Sequence, residues 1–262
     1  MVKVQITEDG SHTLFSEMVG QTYHSSHGAV QESRHIFISQ LSIINGQQST
    51  DDSQQLMVNG QQAKVGGDLS VLEIGFGTGL NALLAACWVK ENGVRVDFST
   101  IELYPLEREV YEELNYGSLL GEEELFLKLH EAKWDAGLQE ITPEFAICKH
   151  KKDIVEWLRN AQSLILSSGA QGDLELDFVA KGSKILGSQF DVVFFDAFSP
   201  DAQPELWTEE VFRNVYALMK EGGVLMTYCA KGDVRRAMLA AGFRVEKLQG
   251  PPGKRHILRA GK

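Results

Sequence analysis

The stretch Val71-Leu72-Glu73-Ile74-Gly75-Phe76-Gly77-Thr78-Gly79-Leu80-Asn81 joins a short apolar run to a turn with glycine at alternate positions, and then to a helix-forming segment. A strand that feeds a helix through such a turn commits a chain to α/β architecture, and it puts the turn at the carboxyl edge of a sheet, where open parallel sheets hold ligands. Glycine lets the backbone approach a ligand closely, and the helix start offers free N–H groups. The spacing is G-x-G-x-G, with Leu80 where the dinucleotide fingerprint would place its third glycine, so a nicotinamide cofactor is disfavoured. No Gly-Lys-Ser/Thr follows, which excludes the NTPase phosphate loop. Glu73 precedes the first glycine, and a carboxylate there suits a sulfonium or ammonium better than a pyrophosphate. Gly75, Gly77, Gly79 and Asn81 are therefore assigned, with Glu73, to a cationic nucleotide-like cofactor.

From Leu69 onward, short apolar runs alternate with helical segments, the pattern of a parallel sheet built from βαβ units. Strands are expected at Leu69–Ile74, Val96–Ile101, Phe145–Cys148, Leu174–Val179, Phe190–Phe195, Val224–Tyr228, Phe243–Lys247 and His256–Arg259. Helices are expected at Gly79–Lys90, Leu106–Tyr116, Ile154–Ser167, Pro204–Met219 and Val234–Ala241. Upstream, residues 1–67 read as an extension packed on the main domain of residues 68–262: a hairpin from Val2 to about Phe15 turning at Asp9-Gly10, a helix from Val30 to Ile44, and a polar loop from Asn45 to Gly67 with a short helical piece near Leu56-Met57-Val58.

Two further acids fall at strand ends. Glu102 follows the strand ending Thr100-Ile101, where a carboxylate can accept both hydroxyls of a ribose. Asp196 ends the apolar run Phe190-Asp191-Val192-Val193-Phe194-Phe195 and precedes Ala197-Phe198-Ser199-Pro200. Methyl transfer from a sulfonium is an in-line displacement that needs the nucleophile aligned, its lone pair free and water excluded. A carboxylate can accept an amine N–H and help remove its proton, which makes Asp196 the catalytic candidate as well as a cofactor contact. Its plainer reading is a cap on the following turn. Phe198, Pro200 and Tyr228 are assigned to the substrate, the first two as surfaces for a planar base.

The formal charge of −11 argues against a broad basic face for nucleic acid, but the charge is uneven: Lys231, Arg235, Arg236, Lys247, Lys254, Arg255 and Arg259 crowd the C-terminal end, and Lys231, Arg235, Arg236, Lys254 and Arg255 could form a track for phosphates. Cys87, Cys148 and Cys229 are odd in number and far apart, which favours buried thiols in a reducing, cytoplasmic setting. No run reaches the roughly eighteen apolar residues of a membrane span, so no membrane partner is expected. His24 and His27 lack carboxylate or cysteine neighbours, and no metal site is expected there. Glu32-Ser33-Arg34 could line an active-site mouth, and Trp207 reads as core packing in preference to base stacking.

With these residues assembled, the chain resembles the methyltransferase half of the bifunctional bacterial enzymes that make 5-methylaminomethyl-2-thiouridine at the tRNA wobble position, and their stand-alone relatives. The likeness runs through Asp9-Gly10-Ser11-His12-Thr13-Leu14, Tyr23-His24-Ser25 with Gly28-Ala29 and Glu32-Ser33-Arg34, the glycine loop, Asp196-Ala197-Phe198-Ser199-Pro200, Pro204-Glu205-Leu206-Trp207-Thr208 and Gly223-Val224-Leu225-Met226-Thr227-Tyr228. It implies a class I S-adenosylmethionine-dependent methyltransferase fold, Rossmann-like, with a mostly parallel seven-stranded sheet. It also implies S-adenosyl-L-methionine as cofactor, with Glu102 on its ribose, and the amine of 5-aminomethyl-2-thiouridine in tRNA as substrate, with Asp196 at that amine. The fused relatives carry a flavin-dependent oxidoreductase; here the expectation is the methylation step alone, with any oxidoreductase a separate partner on the same nucleoside. The resemblance calls for an acid after the strand at Leu174–Val179, near the adenine, where this chain has Ala180-Lys181-Gly182. Two rivals remain: a methyltransferase acting on a small-molecule amine, and a non-catalytic S-adenosylmethionine-binding protein.

Overall fold

The structure is a computed structural model that describes residues 1–44, 67–167 and 190–262. The chain opens with strands β1 (Val2–Ile6), β2 (His12–Ser16) and β3 (Gln21–Thr22), then a continuous helical segment made of α1 (Ala29–Ser33), a π-turn over Arg34–Ile38 and α2 (Ser39–Ile44). The main unit follows as β4 (Leu69–Ile74), α3 (Leu80–Asn92), β5 (Val96–Ile101), α4 (Arg108–Tyr111), α5 (Tyr116–Leu120), α6 (Glu123–Glu131), β6 (Leu138–Thr142), β7 (Phe145–His150) and α7 (Ile154–Ser167). It closes with β8 (Phe190–Phe195), a 3-10 turn at Pro204–Trp207, α8 (Glu209–Leu218), β9 (Met219–Thr227), α9 (Gly232–Ala240), β10 (Arg244–Gln249) and β11 (His256–Gly261).

Eight of the described strands form one sheet in the order β10-β11-β9-β8-β4-β5-β7-β6. The five central strands are parallel, and antiparallel pairs flank them at both ends. Strand alternation splits the core in two. Val71, Phe98, Phe194 and Met226 face α3 and the N-terminal helical segment, while Leu72, Ile74, Val193, Phe195 and Leu225 face α7, α8 and α9. Ile36, Phe37 and Leu41 of the extension join the first layer, and the Phe37 ring lies 5.1 Å from that of Phe194. The extension thus shares its core with the sheet, and removing the Phe37 ring would cost about 3–5 kcal/mol.

Four expectations need correction. The sheet has eight described strands where seven were expected, because Leu138–Thr142 adds an antiparallel edge to β7. The single helix expected at Leu106–Tyr116 is broken into α4 and α5: the Asn115 side chain accepts the His12 N–H at 2.8 Å and donates to the Gly10 carbonyl at 2.9 Å, tying the break to the hairpin. The acidic run at Glu122 opens α6, a helix that was not expected. The helix expected at Pro204–Met219 is interrupted at Thr208, whose hydroxyl accepts the Val211 N–H and caps α8 after the 3-10 turn. The short helical piece near Leu56 and the strand at Leu174–Val179 lie outside the described residues.

Asp9 fastens the extension. One carboxylate oxygen accepts the Thr7 hydroxyl at 2.7 Å and the Ser11 N–H at 3.0 Å, and the other accepts the Gln31 N–H at 2.9 Å in the first turn of α1. Burial pushes this carboxyl up, but the bonds from Ser11, Gln31 and Thr7 outweigh it and hold the group below its ordinary value. Its stabilising contribution is therefore present above the usual carboxylate range and is lost as pH falls through it. Asp9→Ala is expected to cost about 2 kcal/mol, lowering the melting temperature by roughly 5 °C at pH 7 and by much less at pH 3; an equal fall at both pH values would contradict this role.

Candidate active site

Three neighbouring parallel strands end in step: Ile74 of β4 pairs with Ile101 of β5 and with Phe195 of β8. The next residue on each strand is Gly75, Glu102 and Asp196. The ladder continues one bond further, with the Gly75 N–H on the Ile101 carbonyl at 3.0 Å and the Asp196 N–H on the Ile74 carbonyl at 3.1 Å. Register alone thus sets a glycine between two carboxylates on one rim.

The glycine loop leaves the rim in left-handed backbone, with φ of 93° at Gly75 and 51° at Gly77. A Cβ on Gly75 would stand 3.0 Å from the Asp196 carbonyl oxygen, and one on Gly77 would stand 3.1 Å from the Tyr23 ring. Glu102 accepts the Gly77 N–H at 3.1 Å and the Tyr104 N–H at 2.9 Å, so it shapes both turns while facing the cavity. Two buried histidines hold Thr78 from behind: His24 Nε2 lies 2.8 Å from its hydroxyl, and His130 Nε2 donates to its carbonyl at 3.1 Å. Burial lowers these imidazoles to about 4 and about 3, so both are neutral at pH 7.

Asp196 is half-buried in the wall of a cavity of about 470 Å³. Asn81 Nδ2 donates to its Oδ2 at 2.8 Å. Burial raises this carboxyl to about 7; the Asn81 bond and Lys254 pull the other way, and Glu32 adds to the rise. Phe198 flanks it, with its N–H on Gln203 Oε1 at 3.1 Å and its carbonyl accepting the Trp207 indole N–H at 2.9 Å. The Tyr23 ring meets Phe198 edge-on at 4.9 Å, and the Tyr228 hydroxyl donates to the Ala197 carbonyl at 2.9 Å. The extension roofs the cavity from Phe15 to Ser25, and Gln21 is stitched to Ser199 by its side-chain amide, which donates to the hydroxyl at 2.7 Å.

Of the residues assigned from sequence, Gly75, Gly77, Glu102, Asp196, Phe198, Tyr228 and Lys254 line this one cavity. Asn81 is buried behind Asp196, and Gly79 packs against His130. Glu73 does not line the cavity: strand alternation turns it onto the α3 side with Val71, where it is fully buried and accepts the Thr100 hydroxyl at 2.7 Å. The phosphate track is also redrawn. Lys254 turns inward, pairs with buried Glu32 and sits 4.8 Å over the Tyr228 ring, because the β10–β11 turn folds over the cavity mouth. Lys231 pairs with Asp201 and Arg236 with Asp233, while Arg235 is half-buried and Arg255 exposed. Pro200 lies outside the cavity lining, and Trp207 is core, its ring 5.0 Å from that of Phe195.

Several lining residues carried no local signal. Gln21, Tyr104 and Ile154 reach the cavity only because distant elements fold together, and no periodicity marks them. The strand beside β5 is β7, and the loop after it holds Asp153 one position before Ile154. Asp153 caps α7 by accepting the Glu156 N–H at 2.9 Å; the position after Leu174–Val179, where the resemblance calls for an acid, lies outside the described residues.

The lining suits a cationic nucleotide. Glu102, Asp196 and Glu32 outnumber Lys254, and Gly75 and Gly77 bring bare backbone to the cavity wall. The volume falls within the roughly 300–1,000 Å³ of small-ligand pockets.

Residues 147–262 match a family described as S-adenosyl-L-methionine-dependent methyltransferase. A solved structure, MnmC2 from Aquifex aeolicus, superimposes with a TM-score of 0.65 over 100% of this chain and 70% of its own, at 23% identity. The chain therefore has the class I S-adenosylmethionine-dependent methyltransferase fold. Its sequence is similar to that of MnmC proteins. The tRNA 5-methylaminomethyl-2-thiouridine biosynthesis bifunctional protein MnmC of Ectopseudomonas mendocina is 29% identical over 97% of this chain and 34% of its own length, and that of Cupriavidus metallidurans is 29% identical over 96% and 32%. The chain spans about a third of the length of these relatives.

Gly75→Ala tests the cradle. The substitution forces an L-residue to a positive φ and drives Cβ against the Asp196 carbonyl. S-adenosylmethionine affinity, measured by calorimetry, is expected to fall at least about tenfold, corresponding to about 1.4 kcal/mol, while far-UV circular dichroism stays unchanged. Unchanged affinity would remove the loop from the binding site.

Proposed function

We propose that this chain transfers a methyl group from S-adenosylmethionine to the amine of 5-aminomethyl-2-thiouridine at the tRNA wobble position, giving 5-methylaminomethyl-2-thiouridine. The observation that carries the reading is Asp196, a half-buried carboxylate raised to about 7, set between the glycine rim and the aromatic wall of Phe198, Tyr228 and Tyr23. Support for the substrate comes from similarity, over nearly all of this chain and about a third of theirs, to proteins named for biosynthesis of that nucleoside.

When bound, S-adenosylmethionine supplies an electrophilic methyl group, whose S–C bond breaks toward sulfur as the amine lone pair forms the new C–N bond. Gly75 and Gly77 would offer the cofactor backbone contact, Glu102 would accept from its ribose, and Asp153 would be the candidate for its adenine edge. Ionised Asp196 accepts an N–H of the substrate ammonium and takes up that proton, leaving the amine lone pair free to face the donor; the methylated amine departs as its ammonium and Asp196 releases its proton to solvent. Phe198 and Tyr228 flank the base. The roof from Phe15 to Ser25 keeps water away and strengthens the charge interactions inside. Arg235 and Arg255 remain candidates for the tRNA backbone. The oxidoreductase step of the bifunctional relatives falls to a separate protein or segment, and the cytoplasm, where tRNA resides, is the place of work.

A second reading, methylation of a small-molecule amine, is favoured by the neutralised cations: Lys231, Arg236 and Lys254 are each engaged by an acid. Methyl transfer to tRNA carrying the unmethylated nucleoside, compared with transfer to free amines, separates the two, and accumulation of 5-aminomethyl-2-thiouridine in cells lacking the protein would confirm the first.

Asp196→Ala is expected to lower kcat by about 10²–10⁴ while changing the S-adenosylmethionine Kd less than about threefold. Asp196 acts in its ionised form, so kcat/KM should rise with pH through about 7 and the rise should vanish from the residual activity of Asp196→Asn. Unaltered turnover in either variant would remove the mechanism.

A further inference from the structure

Lys254 is a cation in the wall of a cavity whose other charged side chains are acids. Its Nζ is paired with Glu32 Oε1 and lies 4.8 Å over the Tyr228 ring, and Lys254, Glu32, Tyr228 and Asp196 all line the same cavity. The pair is anchored from the Glu32 side. The Ser25 N–H donates to Glu32 Oε2 at 2.8 Å, and the Glu32 side chain is 9% exposed where that of Lys254 is 27% exposed. Tyr228 is fixed by its hydroxyl, which donates to the carbonyl of Ala197, the residue after Asp196, at 2.9 Å. Glu32 raises the Asp196 carboxyl and Lys254 lowers it, so both charges act on that carboxylate. A primary ammonium set against a carboxylate and an aromatic face is also what an aminomethyl substituent would need for binding. In the free protein, Lys254 thus presents the chemical group that the substrate brings.

We infer that Glu32 and the face of Tyr228 form the subsite for the substrate's ammonium, and that Lys254 holds this place until the substrate displaces it. The exchange swaps one alkylammonium for another. The buried Glu32 carboxylate is therefore never left unpaired, and the charge inside the cavity stays constant. Lys254 is the member of the pair that can leave, because its flexible stem already reaches water, whereas Glu32 is tied to backbone. The same device selects the substituent. Expelling Lys254 for a neutral group would leave Glu32 bare, and expelling it for an anion would set two negative charges together, so only a cationic side group exchanges without loss. The acids then divide the work: Glu32 binds the ammonium, and Asp196 takes its proton.

The inference rests on the reading of the substrate as an amine, but its decisive test uses neither methyl donor nor tRNA. Lys254→Met keeps much of the apolar stem over Tyr228 and removes the ammonium. Titration of the free protein with methylammonium chloride at constant ionic strength, followed by NMR, should show binding at least about tenfold tighter than in wild type, because the internal competitor is gone. The gain should disappear in the double variant Glu32→Gln/Lys254→Met, which localises it to the pair. Binding no tighter in Lys254→Met would mark the pair as a clamp between the extension and the β10–β11 turn and overturn the proposal, as would a gain that persists in the double variant. Glu32→Gln alone gives a second readout: KM for the amine substrate should rise at least about tenfold, with a smaller fall in kcat, and an unmoved KM would contradict the subsite. A protein that shows the ammonium exchange but does not methylate tRNA keeps the subsite and loses the proposed substrate; methylation of tRNA without the exchange does the reverse.

Discussion

The site depends on the hydrogen-bond register of three parallel strands. β4, β5 and β8 finish in step, and the single residues after their ends, Gly75, Glu102 and Asp196, meet on one rim of the cavity. No loop has to be placed accurately for these groups to meet, because the sheet ladder places them, and sites borne on regular elements are held more closely than sites on loops. The glycine between the carboxylates is required by space as well as by conformation, since any side chain there would strike the Asp196 backbone.

That arrangement crowds negative charge, and the fold contains it in three ways. Glu102 is held by backbone N–H groups from the glycine loop and from its own turn. Asp196 is raised by burial and steadied by Asn81. Glu32, brought in by the N-terminal extension, is paired with Lys254 from the β10–β11 turn, so an ion pair closes the cavity between two segments far apart in sequence. The free site is thus poised to gain from a cation: any positively charged donor or ammonium that enters relieves repulsion already present.

Much of this was legible in the sequence, and the rest was hidden for physical reasons. The convergence of the glycine loop, Glu102 and Asp196 on one edge was readable because each directly follows a short apolar run that stops abruptly at a glycine or an acid. Glu73 was misread for the same reason: its position in the motif is plain, but which face of the sheet it points to follows from alternation against neighbours, and that turns it to Thr100 and Asn81. Lys254 was read as an outward cation because nothing local reveals that its turn folds over Tyr228. Gln21, Tyr104 and Ile154 reach the cavity through tertiary packing alone.

The most direct test of the account is an experimental structure of the protein with S-adenosylmethionine bound. The ribose should lie on Glu102, the amino-acid end against the Gly75–Gly77 backbone, and the methyl carbon should open toward Asp196 between Phe198 and Tyr228. A cofactor whose ribose rests elsewhere, or whose methyl group points away from Asp196, would contradict the claim that strand register builds the reacting rim.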